Sequence, residues 1–126
     1  MVSMPAPDLS ILARREKIIA SLQEILPDEG AVIADADAMR VYECDGLSAY
    51  RQMPLIVALP STASEVSAIL RYCNEENIPV VARGAGTSLS GGALPLADGV
   101  LLGMAKFNRI LDIDTDNLCA VVQPGV

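Results

Sequence analysis

The sequence predicts an α+β fold: an N-terminal helix, a βαβ unit with parallel strands, then antiparallel strands. Three observations carry the prediction. A continuous apolar run, Leu55–Leu59, stands between Pro54 and Pro60, as suits a strand covered on both faces. A capped amphipathic helix and a second apolar run, Ile78–Ala82, follow within roughly thirty residues, the span of a right-handed βαβ unit. Beyond residue 92 the helical stripe gives way to short strand-like runs divided by turn residues.

Taken in order, Asp8 is placed to cap a helix running to about Leu26, with Ile11, Leu12, Ile18, Ile19, Leu22, Ile25 and Leu26 at helical spacing and Pro27 as its stop. Ala31–Ile33 reads as a short strand or an extended connector, Asp35–Tyr42 as a helical turn, and Asp45-Gly46 as a loop. Residues 1–52 are a helical element and linker to which no chemistry is assigned. Thr62-Ala-Ser-Glu65 has the capping-box form. Val66, Ile69, Leu70 and Cys73 then make one stripe, and Asn77 suits the helix end. Ile78–Ala82 should be a second buried strand. Gly99–Gly103, Ile110–Ile113 and Leu118–Gln123 read as further strands, the last two joined in a hairpin by Asp114–Asn117. No second helical crossover is available, so a doubly wound sheet is not expected.

Composition narrows the function classes. Of 126 residues 52% are apolar, enough to build a core. Nine Lys and Arg against sixteen Asp and Glu leave a net charge of −7, which argues against nucleic acid or an anionic membrane surface as partner. Histidine is absent, so no His-dependent nucleophile, imidazole acid or base, or His-ligated zinc belongs to this chain. Cys44, Cys73 and Cys119 are far apart, which fits reduced thiols better than a disulfide framework; Cys73 and Cys119 are expected in the core. Met1–Pro7 carries no basic leader, and no apolar run is long enough to span a bilayer, so the expected compartment is the cytoplasm.

Arg83 to Gly92 reads RGAGTSLSGG. Glycines let several backbone amides converge on one anion. On glycine count alone an anion cradle and a surface turn are equally good readings. Position after a buried strand, with the Thr87, Ser88 and Ser90 hydroxyls and Arg83, favours a pyrophosphate. Arg83 reads equally well as a strand-end ion pair with one of the nine aspartates. Two familiar phosphate loops fail. Gly92-Ala93 stands where a Walker A loop needs Lys and Ser or Thr, and Leu89 stands where a Rossmann fingerprint needs its third glycine.

From Met53 to Val126 the chain resembles the FAD-binding domain of the vanillyl-alcohol oxidase / para-cresol methylhydroxylase (PCMH) flavoproteins. Within that family it is most similar to the branch of the glycolate oxidase D subunits and D-lactate dehydrogenases. The carrying residues are Pro54–Pro60 with Ser64-Glu65-Val66, then Ile78–Gly92, Gly103-Met104, Phe107-Asn108 and Val122–Val126; upstream, Asp45–Tyr50 is similar too. The resemblance implies a partial PCMH-type FAD-binding domain over residues 53–126. It implies that Arg83–Gly92 wraps the FAD pyrophosphate, with amides of Gly84, Ala85, Gly86, Thr87 and Ser88 as donors. Gly91 and Gly92 would give close passage along the ribityl and phosphate portion. Pro60 and Pro124-Gly125 correspond to wall residues near the adenosine half and the ring. Family members with loop-attached flavin carry histidine where Thr87 stands, so non-covalent FAD is expected here.

The implied function is the N-terminal FAD-binding portion of an FAD-dependent 2-hydroxy acid oxidoreductase, oxidising glycolate or D-lactate to the 2-oxo acid. A small 2-hydroxy acid would bind through a downstream domain not contained in this chain. Other oxidase subunits, an iron–sulfur subunit among them, are the implied partners, with attachment to the inner membrane through them. The substrate carboxylate clamp, catalytic base and metal ligands fall on no residue present. The competing readings are an inactive fragment that associates with itself, and a phosphate- or nucleotide-binding module without flavin. Among lesser candidates, Asp112, Asp114 and Asp116 read as a solvated turn rather than a metal site. Tyr42, Tyr50 and Tyr72 read as packing residues, and Glu75-Glu76 as a solvated helix end.

Overall fold

Three parallel strands, layered between helices, set the frame of the computed structural model, which describes residues 4–126. Residues 1–3, part of the stretch read as lacking a leader, lie outside the described residues. The Asp8 carboxylate accepts from the Ser10 amide at 2.8 Å and caps α1, Leu9–Leu12. The expected single helix is broken there, and α2 runs from Arg15 to Ile25. The break coincides with Arg14, whose guanidinium is tied to the Glu76 carboxylate and, at 3.1 Å, to the Glu76 carbonyl. Lys17 adds a contact to the same carboxylate at 3.4 Å. Glu76 is therefore not a solvated helix end; it fastens the N-terminal helices to the helix it terminates.

β1, Val32–Ile33, pairs antiparallel with β2, Ile56–Ala58. Between them lie α3, Ala36–Met39, capped by Asp35, and a turn of 3-10 helix at Arg40–Tyr42. α4, Ala63–Glu75, opens on the predicted box: the Thr62 hydroxyl accepts from the Glu65 amide, and the Glu65 carboxylate accepts from the Thr62 amide. Asn77 follows the helix end in the left-handed region, φ 55°. β3 is Val80–Arg83 and β4 Val100–Gly103.

The strand order is β1-β2-β4-β3. β4 lies between the two strands of the βαβ unit and pairs parallel with both, rather than joining the antiparallel set. It is buried along its whole length. β3 occupies the edge and is only half-buried, contrary to the expected buried strand. Pro79 just before it, lacking an N–H, suits that edge position.

The pleat sends alternate residues to two apolar layers. Ile56, Ala58, Val100 and Leu102 pack with Ile18 and Leu22 of α2 and Ile69 and Cys73 of α4, while Val57 and Leu101 face Met39. Fully buried side chains such as Ile18 and Leu22 contribute roughly 1.5–3 kcal/mol each, so the N-terminal segment shares the core of the sheet. Burial also pushes the Cys73 thiol up to about 11.

β5, Ile110–Asp114, and β6, Cys119–Val122, form a separate antiparallel hairpin with a bulge between Ile110 and Asp112. Asp114 builds its turn, accepting from the amides of Asp116 and Asn117 and from the Asn117 side chain. Those bonds, the Asn117 side chain foremost, hold its carboxyl below the usual value. Ile110, Leu111, Ile113, Val121 and Val122 are exposed on the hairpin. Cys119 is exposed as well, not in the core.

Candidate functional site

Register places Ala58, Leu102 and Ala82 abreast, so Leu59-Pro60, Gly103-Met104 and Arg83-Gly84 leave the sheet at one rim. Ligands of open parallel sheets bind outside such carboxyl ends. Pro60 is fully buried there, two strands or about 10 Å from the start of the glycine-rich loop. The neighbouring N-terminus of α4 is already filled from within. The Glu65 carboxylate accepts from the amides of Ser61 at 2.6 Å and Thr62 at 3.1 Å and from the Ser61 hydroxyl. These bonds, led by the Ser61 amide, hold its carboxyl below the ordinary value.

The loop from Arg83 to Gly92 is different. Gly86 and Gly91 adopt φ +74° and +77°, a region costly for residues with a Cβ. Among the described residues, no protein acceptor takes the amides of residues 84–88. Five successive donors are thus unspent on a loop at the rim. The Ser88 hydroxyl is committed internally, accepting from the amides of Ser90 and Gly92. Gly84 lies against the chain's last turn, where an added Cβ would stand 3.5 Å from the Pro124 carbonyl. Gly125 donates to the Phe107 carbonyl at 2.8 Å, and a Cβ there would collide with the carbonyls of Met104 and Phe107. The loop and Pro124-Gly125 are therefore neighbours, while Pro60 lies across the rim.

Of the two readings of Arg83, the strand-end ion pair is not formed among the described residues. The Arg83 Nη1 donates to the Tyr42 carbonyl at 3.2 Å and the Cys44 carbonyl at 2.7 Å, and the guanidinium lies 5.8 Å from the centre of the Tyr42 ring. Sequence reasoning also missed Asp45. Only 6% exposed, it accepts from the Leu47 amide at 2.9 Å and the Ala93 amide at 3.4 Å, linking its own turn to the far end of the loop. Gly46 lies under the loop, since a Cβ there would meet the carbonyls of Ser88 and Thr87 at 2.8 and 2.9 Å. The only available signal was the Asp-Gly pair, which marks a turn but not its partner. A cavity of about 270 Å³ opens beside this contact, lined by Leu47, Tyr50, Ser90, Gly91 and Leu94 with Met4 and Pro5.

Unspent amides and left-handed glycines at the rim fit a diphosphate held by backbone rather than by side-chain charge. Residues 54–126 match the FAD binding domain family. The chain is 52% identical over 112 residues to the glycolate oxidase subunit GlcD of Escherichia coli (strain K12), covering 89% of this chain and 22% of that protein. It is 44% identical over 96 residues to a D-lactate dehydrogenase of Archaeoglobus fulgidus, covering 75% and 21%. The solved structure of p-cresol methylhydroxylase with substrate bound matches over 99% of this chain and 24% of its own, with a TM-score of 0.75 and 25% identity. The chain spans about a fifth of the length of the curated relatives it matches. With more than half its length in the match, the chain belongs to the FAD binding domain family.

Proposed function

We propose that the chain holds the diphosphate of FAD, non-covalently, on the amides of Gly84, Ala85, Gly86, Thr87 and Ser88. Gly91 and Gly92 would keep the loop low along the ribityl portion, and Pro60 and Pro124-Gly125 would wall the cofactor. The observation that carries this reading is the run of unspent donors at residues 84–88 on the carboxyl rim of a parallel sheet. In this reading residues 53–126 are the N-terminal part of the FAD-binding domain, and residues 1–52 buttress it through the shared core.

The larger activity we propose is oxidation of a 2-hydroxy acid, glycolate or D-lactate, to the 2-oxo acid, as the names of the relatives suggest. When bound, FAD supplies the acceptor for the hydride equivalent leaving the substrate α-carbon. This chain's own residues bind and orient: amides donate hydrogen bonds to the diphosphate, and buried Pro60 with Leu59 keeps water from the adjoining strand end. Substrate and oxidase subunits, an iron–sulfur subunit among them, would engage portions outside these 126 residues. The proposed compartment is the cytoplasm, with inner-membrane attachment through partners; no helix among the described residues is long and apolar enough to cross a membrane.

A second reading concerns the chain by itself, and the exposed hairpin favours it. Ile110, Leu111, Ile113, Val121 and Val122 are each about half exposed or more, so the 126-residue chain is proposed to self-associate and to lack turnover alone. Titration of the purified chain with FAD, followed by flavin fluorescence and compared with ATP, tests the primary reading. Saturable FAD binding is expected; ATP binding without FAD binding would support the non-flavin nucleotide module instead.

A further inference from the structure

We propose that Asp45 and Arg83 form a brace that holds the glycine-rich loop in its binding shape, with Arg83 working beneath the loop and not as a phosphate ligand. The proposal rests on the FAD reading for its purpose but on the fold for its geometry. Residues 42–47 touch the loop at three places. At its start, Arg83 donates to the Tyr42 and Cys44 carbonyls. At its middle, the Thr87 and Ser88 carbonyls lie on Gly46. At its end, Asp45 accepts from the Ala93 amide while also closing its own turn on Leu47.

Gly86 completes the arrangement. An added Cβ would land on the Arg83 guanidinium, so the left-handed turn packs directly over it. The guanidinium is thus engaged by carbonyls below and the loop backbone above. Asp45 is a buried carboxylate whose partners are amides, and losing one would leave a buried polar group unpaired. Ordering a free loop costs about 1–2 kcal/mol per residue, so a loop held in shape before the ligand arrives binds more tightly. These are positioning residues.

Hydrogen–deuterium exchange on the full 126-residue chain tests this without any ligand. In Asp45→Asn an NH2 group can replace an acceptor oxygen and face an amide donor. In Arg83→Met both carbonyl bonds go. Asp45→Asn should speed exchange about tenfold in peptides covering 42–50 and 89–94, the loss of about one hydrogen bond, and Arg83→Met, which loses two, by at least as much. Core peptides over 55–59 and 98–103 should be unchanged, and FAD affinity should fall about tenfold in parallel. Arg83→Lys should restore part of the protection, and Gly46→Ala, which alters no charge, should reproduce the loosened loop. If Arg83→Met weakens FAD while loop exchange stays normal, Arg83 is a phosphate ligand and the proposal is overturned. Loss of core protection in the variants would overturn it equally, since the residues would then be structural throughout. If the unaltered chain shows no FAD binding, the FAD reading fails, while the exchange pattern still decides the brace.

Discussion

Valine at Gly86 attacks the loop at its tightest point. The backbone there sits at φ +74°, where a residue with a Cβ loses about 1–2 kcal/mol and a β-branched one is worse placed still. The new Cβ would also strike the Arg83 guanidinium, which must leave the Tyr42 and Cys44 carbonyls to make room. Hydrogen bonds to a charged group are each worth about 1.5–3 kcal/mol, and a flexible side chain recovers part of that in water. A combined penalty of about 3–4 kcal/mol on the binding-ready loop corresponds to a loss of roughly 10²–10³ in FAD affinity. Flavin fluorescence titration reads this directly. Gly30→Ala is the control: its φ is +75°, but nothing lies within 4 Å of the added Cβ and it is far from the loop in sequence. That variant should cost about 1 kcal/mol of stability and leave FAD affinity alone. Unchanged affinity in Gly86→Val would refute the assignment of the loop.

Acid precipitation of the flavin-loaded protein should release all flavin to the supernatant, because no histidine is present to hold it; fluorescence remaining on the denatured band would contradict non-covalent binding. Thr62→Ala should cost about 1 kcal/mol, lowering the midpoint of thermal unfolding by about 4 °C, with no change meaning the cap is idle. Glu65 has its carboxyl held below the ordinary 4.5, so its contribution is full above that value and is lost as pH falls through the folded-state value. The stability gap between the unaltered chain and Glu65→Gln should therefore close on acidification, and a gap that widened would show the sign to be wrong. Light scattering should find the chain associated, and Leu111→Ser with Val122→Ser should shift it toward monomer; a clean monomer at the outset would mean the exposed hairpin is tolerated.

What could be read from the sequence was local. The Thr62–Glu65 box, the stripe of Val66, Ile69 and Cys73 and the Asp114 turn are each written in residues a few positions apart, and each is present, although Leu70, read as part of the stripe, is exposed. The order of the strands was not legible. Leu55–Leu59, Ile78–Ala82 and Gly99–Gly103 are all apolar runs, and which two flank the third is settled by long-range packing. Pro79 was the one local hint that its strand would lie at the edge. The Arg14–Glu76 contact spans 62 residues, so the helix break and the fastening role of Glu76 were equally hidden. At the loop, glycines and hydroxyls pointed to the anion site proposed above. The brace did not show, because Arg83 and Asp45 bond to backbone groups that no side-chain identity marks.

The central claim is that amides of residues 84–88 hold the FAD diphosphate, and amide resonances of the ¹⁵N-labelled chain test it most directly. FAD should shift the signals of Gly84, Ala85, Gly86, Thr87 and Ser88 at saturable, common affinity, while riboflavin, which has the ring but no phosphate, should leave them in place. Equal shifts with riboflavin, or FAD-dependent shifts that spare these five amides, would contradict the account.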